Sequence, residues 1–116
     1  MKIAITGIGI ISAIGRDQTE TLASLQMERS GIGAMQYLRS THTNLPVGVV
    51  KFSNEELRAL SPIPRTEAIS RTSLLGLSAA KEALHQANIQ DVQDMAFVSG
   101  TTVGGMDTTE CYWKDW

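Results

Sequence analysis

The sequence predicts an α/β fold in which helices pack on a mainly parallel or mixed sheet. Three observations carry this. Apolar stretches at Lys2 to Ile11, Leu45 to Phe52 and Met95 to Gly100 read as strands. Helical signals fall between and after them, and strands that alternate with helices point to a parallel sheet. The stretch from Ser70 to Asn88 carries one apolar stripe, Leu74, Leu77, Ala80, Leu84 and Ala87, at helical spacing.

Each element has its own warrant. Ile3, Ile5, Ile8, Ile10 and Ile11 are β-branched and nearly uninterrupted, the pattern of a strand buried on both faces. Gly7 and Gly9 within it mark a bulge or a close backbone approach. Asp17 and Glu20 have capping-box spacing before a short helix faced by Leu22, Leu25 and Met27. Ser30-Gly31-Ile32-Gly33 supplies glycine chemistry to end it. Ala34 to Asn44 has no period and reads as irregular. In the second strand, Pro46 stands near the start, where a missing N–H is tolerable.

Ser53 and Glu56 form a second capping box, ahead of Leu57 and Leu60, and Ser61-Pro62-Ile63-Pro64 stops that helix. Ser70 is the expected N-cap of the long helix. Gly76, Ala79, Ala80 and Ala83 give it a small-residue flank for close packing. Thr101 to Gly105 reads as a turn, and Asp107 with Glu110 as a third capping box opening a last helix.

Composition narrows the function. The chain has 116 residues, 10 basic and 12 acidic side chains and a formal net charge of -2. At 42% apolar and 19% charged it is neither a disordered polyampholyte nor an electrostatic nucleic-acid binder. One folded unit of this size can hold one core. The single Cys111 excludes an intramolecular disulfide and a cysteine-rich zinc site. Cytoplasm is the expected compartment. The apolar run behind Met1-Lys2 has the outline of a signal peptide, but Thr6, Gly7, Gly9 and Ser12 interrupt it and its β-branched richness favours a strand. No stretch has the apolar length of a membrane span.

Few residues offer chemistry. Gly7, Gly9 and Ser12 approximate a dinucleotide fingerprint, which needs a tight turn and a helix N-terminus facing a pyrophosphate. Ser12 replaces the third glycine, and Ile10 and Ile11 read as strand. Glycines that serve the strand itself are the stronger reading. Cys111 falls inside the last helix beside Glu110, and a neighbouring carboxylate opposes thiolate formation. His42 and His85 have no metal-ligand spacing and read as solvated. Gly104-Gly105 lies between a strand end and a capped helix, where α/β proteins bind ligands. A ligand approach and a simple turn remain equally open there.

Three segments together carry a resemblance. ITGIGIISAIG (Ile5 to Gly15), SRTSLLGLSAAKEAL (Ser70 to Leu84) and FVSGTTVGGMDTTE (Phe97 to Glu110) resemble, in order and spacing, the N-terminal part of β-ketoacyl-acyl-carrier-protein synthases. The resemblance spans essentially the whole chain. It implies a thiolase-like fold, built in that family from two related α/β halves in α-β-α-β-α layers. Residues 1–116 would then be an incomplete N-terminal portion of that domain.

The resemblance also implies a chemistry. In the family a cysteine takes an acyl group from an acyl carrier protein. Two histidines, or a His/Asn pair, promote decarboxylation of a malonyl thioester, and the carbanion attacks the acyl-enzyme. The reaction is a decarboxylative Claisen condensation in fatty acid or polyketide synthesis, by an acyltransferase without cofactor or metal. The family's cysteine follows a later strand, beyond the Gly104-Gly105 segment, and its histidines belong to the second half. Cys111, His42 and His85 do not inherit those roles, so the chain alone is expected to be inactive. Val103 matches a branched residue that lines the family's acyl pocket. Implied partners are acyl carrier protein, acyl and malonyl thioesters, and a second subunit in a homodimer or heterodimer; nucleic acid and membrane are not among them. Alternatives are a non-catalytic partner of the same fold, like a chain-length factor, and a small dinucleotide-binding α/β protein. Uncovered sheet edges and apolar faces predict that the isolated chain self-associates, aggregates or needs a partner.

Overall fold

A computed structural model describes residues 1–37, 40–61, 64 and 68–113. Among them the elements are α1 (Gln18–Gln26), β1 (Ile32–Gly33), β2 (Val47–Gly48), α2 (Asn54–Ala59), α3 (Arg71–Gln86) and α4 (Met106–Trp113). The chain is thus a small α/β structure of four helices and one two-stranded sheet among the described residues.

The helices begin where local capping chemistry sets them. Asp17 Oδ1 accepts the Glu20 N–H at 2.8 Å. Glu20 reaches back one residue further than a capping box requires, accepting the Arg16 N–H at 2.8 Å. At α2 the box is complete: Ser53 Oγ accepts the Glu56 N–H, and the Glu56 carboxylate accepts the Ser53 N–H at 2.7 Å. Ser70 Oγ caps α3 by accepting the Ser73 N–H at 3.2 Å. The last helix starts at Met106, one residue before the expected cap Asp107. The Gly105 carbonyl accepts the N–H groups of Thr108 and Thr109 at 3.1 and 3.0 Å, which fixes the first turn there.

Two expectations for α1 are corrected. It closes before the Ser30–Gly33 stretch, because the Met27 N–H returns to the Ala23 carbonyl at 3.0 Å and Glu28 takes the left-handed turn at φ 53. Its inward residues are Thr21 and Ser24, while Leu22, Leu25 and Met27 face outward. The cause is polar: Ser24 Oγ donates to the Ile14 carbonyl at 2.6 Å, and Gly15 packs so closely on Thr21 that no side chain fits between.

The apolar core sits between α2 and α3. Leu57 and Leu74 are each 0% exposed. Arg71 fastens this pair to the chain before α2. Its guanidinium donates to the carbonyls of Phe52 (2.8 Å) and Val50 (2.9 Å) and to Asn54 Oδ1 (2.9 Å). It also lies 5.5 Å from the centre of the Tyr37 ring, within cation–π range. Lys81 adds a bond to the Leu60 carbonyl at 2.9 Å. The α2 stop at Pro62 and Ile63 lies outside the described residues.

The strand expectations fare differently. Only Val47 and Gly48 of the second candidate pair, and they pair antiparallel with Ile32 and Gly33. Pro46 has no N–H to extend the ladder backwards, and Arg71 occupies the Val50 and Phe52 carbonyls ahead of it. Ala34 to Asn44 is irregular where described. Residues 2–11 and 95–100 form no ladder among the described residues, and both are mainly exposed rather than buried. A parallel strand needs a neighbour on an edge, and the described chain supplies none to either. The expected parallel or mixed sheet is therefore not formed among the described residues.

Residues 7–10 instead lie on α3. A Cβ at Gly7 would run into the Ala83 carbonyl, and one at Gly9 into the Ala79 carbonyl. The Ile8 N–H donates to Gln86 Oε1 at 2.6 Å and the Ile10 N–H to Glu82 Oε2 at 2.8 Å. The two run antiparallel: two residues of the segment match four of the helix. Near-extended backbone advances about 6.6 Å over two residues and a helix about 6 Å over four, so the repeats agree. Glu82 Oε1 also accepts the Gln18 N–H at 2.8 Å, and Gln18 Nε2 donates to the Ile8 carbonyl. One carboxylate thereby joins the first segment, the start of α1 and α3.

The outcome is an open structure. Its accessible surface is 9769 Å², against about 6,200 Å² for a folded monomer of this mass. Ile3, Ile5, Phe97 and Val98 contribute to the excess. Among the described residues, no helix is long and apolar enough to cross a membrane.

Candidate functional site

The candidate that the sequence marks lies where Gly104-Gly105 approaches α3. A cleft of about 470 Å³ opens between the first half of α3 and residues 97–105, walled by Gly76, Leu77 and Ala80 on the helix and by Phe97, Thr101, Gly104 and Gly105 opposite. Local sequence explains its form. Gly105 has φ +87, a left-handed conformation open to glycine and costly for side chains with a Cβ. A Cβ at Gly104 would crowd the Thr101 side chain. Gly76 presents bare helix, with open space where a Cβ would stand. Ser70 and Ser73, whose hydroxyls lie 2.9 Å apart, add a polar rim at the helix start.

This cleft can bind but carries no acid, base or thiol. Its lining holds no His, Cys, Asp or Glu. Val103 is 66% exposed and adjoins the cleft through Gly104 without lining it. Cys111 is a free thiol exposed on α4. His85 borders a separate groove of about 960 Å³ formed by Leu60, Leu77, Leu84 and Ile89. His42 is exposed, and its backbone N–H donates to Ser40 Oγ at 3.1 Å. Among the described residues, no three His, Cys, Asp or Glu side chains are placed to hold a metal.

The dinucleotide reading of Gly7, Gly9 and Ser12 is met by a different use of the same residues. Both glycines face α3, and Ser12 closes a short bridge, donating its N–H to the Gly15 carbonyl at 2.8 Å. The surface a pyrophosphate would need against these glycines is filled by Ala79 and Ala83. Sequence reasoning missed the roles of Arg71 and Glu82. Their signal is the length of the side chain, which lets each gather backbone groups from distant segments.

The model of the family described as β-ketoacyl synthase, N-terminal domain, matches residues 1–115. The chain belongs to this family. Nodulation protein E of Rhizobium meliloti (strain 1021) is 33% identical over 117 residues, covering 94% of this chain and 28% of that protein. The 3-oxoacyl-[acyl-carrier-protein] synthase 1 of Escherichia coli (strain K12) is 50% identical over 40 residues, or 34% of this chain and 10% of that enzyme. The chain therefore spans little more than a quarter of the first relative's length. No solved structure matches it.

Proposed function

We propose that this chain forms part of a 3-oxoacyl-[acyl-carrier-protein] synthase, an acyltransferase that joins an acyl thioester to malonyl-acyl-carrier-protein by decarboxylative Claisen condensation. The observation that carries the reading is the family match over residues 1–115, with identity to nodulation protein E along 94% of the chain. Residues 1–116 are read as an incomplete N-terminal portion of a thiolase-like domain, which accords with the open surface. The setting is cytoplasmic fatty acid or polyketide synthesis, with acyl carrier protein as partner and a second subunit beside it.

In this reading the chain shapes a site and does not perform the chemistry. No acid, base or thiol lines the glycine cleft. The nucleophilic thiolate and the groups that stabilise the decarboxylating thioester belong to other parts of the synthase. Val103 borders the acyl chain, held by the turn that Gly104 and Gly105 make.

The test pairs mass with activity. The polypeptide in its source cells should be several-fold heavier than 12.6 kDa and should form 3-oxoacyl-acyl-carrier-protein, while the 116-residue chain alone forms none. A native 12.6 kDa species without condensing activity would overturn the synthase reading in favour of a non-catalytic partner of the same fold.

A further inference from the structure

A second cleft lies at the other end of the molecule, where the first segment turns into α1. It encloses about 280 Å³, just below the usual span of drug-sized sites. Its charges are Arg16, Arg29 and Lys51 against Glu20. The acidic groups are already committed. Glu20 Oε2 accepts the Arg16 N–H and lies 3.8 Å from Arg16 Nε, and Asp17, just outside, lies 3.4 Å from the same nitrogen. Arg16 thus faces both carboxylates, and the cleft with its rim keeps one positive charge in excess.

Arg29 and Lys51 are left over. Among the described residues neither makes an ion pair, and Lys51 makes no hydrogen bond through its ammonium. The Arg29 guanidinium donates to an uncharged acceptor, Met27 Sδ, at 2.7 Å. Two serines add donors. Ser12 Oγ accepts the Ile14 N–H at 3.3 Å, and Ser30 Oγ accepts the Ile32 N–H at 3.2 Å. Each hydroxyl acts as an acceptor toward its own loop, so its proton is available to a ligand. Two cations without an ion-pair partner among the described residues, and two hydroxyl donors, around a small concave space match an oxygen-rich anion.

We propose that this cleft binds a phosphate group, held by Arg29 and Lys51 and oriented by the Ser12 and Ser30 hydroxyls. The group can be inorganic phosphate or the head of a small phosphomonoester, since the lining recognises the charged oxygens alone. The site is independent of the glycine cleft and of the condensing reaction.

The experiment titrates the full 116-residue chain with inorganic phosphate, followed by amide NMR, with chloride at matched ionic strength as control. Saturable shifts should concentrate at Ser12 to Arg16, Arg29, Ser30 and Lys51, and chloride should not produce them. Lys51→Ala and Arg29→Ala should each weaken binding about tenfold. Lys51→Arg should restore most of it, and Lys2→Ala, remote from the cleft, should change nothing. A rise in melting temperature with phosphate that Lys51→Glu abolishes gives a second readout. Methyl phosphate separates the sources: equal binding indicates a monoester head, and phosphate alone indicates the free ion. Absence of saturation up to about 0.15 M, or binding unchanged in the Arg29/Lys51 double variant, overturns the proposal.

Discussion

Gly9 lies against the carbonyl oxygen of Ala79, so close that a Cβ at Gly9 would fall inside that oxygen's van der Waals envelope. Because the obstacle is helix backbone, it cannot rotate aside. Gly9→Ala should therefore destabilise the chain by about 1–3 kcal/mol, the usual range for overpacking. Gly33→Ala, where a Cβ would meet nothing within 4 Å, should cost much less. Urea melts of the two variants check this; equal midpoints would mean that residues 7–10 do not sit on α3.

Glu82 gathers two backbone N–H groups, from Ile10 and Gln18. Replacing it with Ala should cost about 1–3 kcal/mol, because bonds to a charged acceptor are lost. Hydrogen exchange should quicken at both amides. Glu82→Gln keeps one acceptor oxygen and should protect one of the two. Exchange unchanged in both variants would show that water serves those amides as well.

The α2 cap should respond to acid. The bonds from the Ser53 N–H and hydroxyl favour the charged form of Glu56 and lower its pKa from the ordinary 4.5. A carboxylate depressed in the folded state lends stability that is present above its unfolded value and lost as pH falls through its folded value. Melting temperature should thus decline below pH 4.5, and Glu56→Gln should flatten that part of the decline. Ser53→Ala should cost about 1 kcal/mol at neutral pH and remove the same acid-sensitive component.

Leu57 and Leu74 form the fully buried apolar pair. Either Leu→Ala change should cost about 2–5 kcal/mol. The double change should cost less than the sum, since each residue loses part of its environment when the other is cut. Chemical denaturation of the four-member cycle measures that coupling.

In the proposed synthase, Cys111→Ser should leave condensation unchanged, because the thiol is exposed on α4 and outside the glycine cleft. Val103→Trp should shift product chain length while the malonyl decarboxylation rate stays near its starting value. A Cys111→Ser enzyme without activity, or a product profile indifferent to Val103, would count against the proposed function.

The helices were legible in the sequence because their signals are local. Asp17, Ser53 and Ser70 cap within three residues of themselves, and the stripe through Leu74 needs no distant information. Strands differ: the isoleucines from Ile3 to Ile11 show that a segment favours extended backbone, but pairing depends on a neighbouring edge. The inward face of α1 was misread for a related reason. Ser24 is drawn inward by one bond to Ile14, which outweighs the apolar pattern of Leu22 and Leu25. At the glycine cleft, Gly104 and Gly105 stood out in the sequence, whereas its opposite wall at Gly76 and Leu77 emerges only from tertiary contact. The cationic cleft was invisible because Arg16, Arg29 and Lys51 are scattered along the chain.

The two glycines of the first segment also behave as a vernier. Sliding the segment one residue along α3 would bring Ile8, with Thr6 or Ile10, onto the helix backbone. Sliding it two residues would keep one glycine in place and put Ile5 or Ile11 where the other had been. Only one setting seats both, so the register is encoded by two absent side chains. Ile8, the residue between them, stays exposed in that setting, which makes one alignment serve both surfaces of the segment.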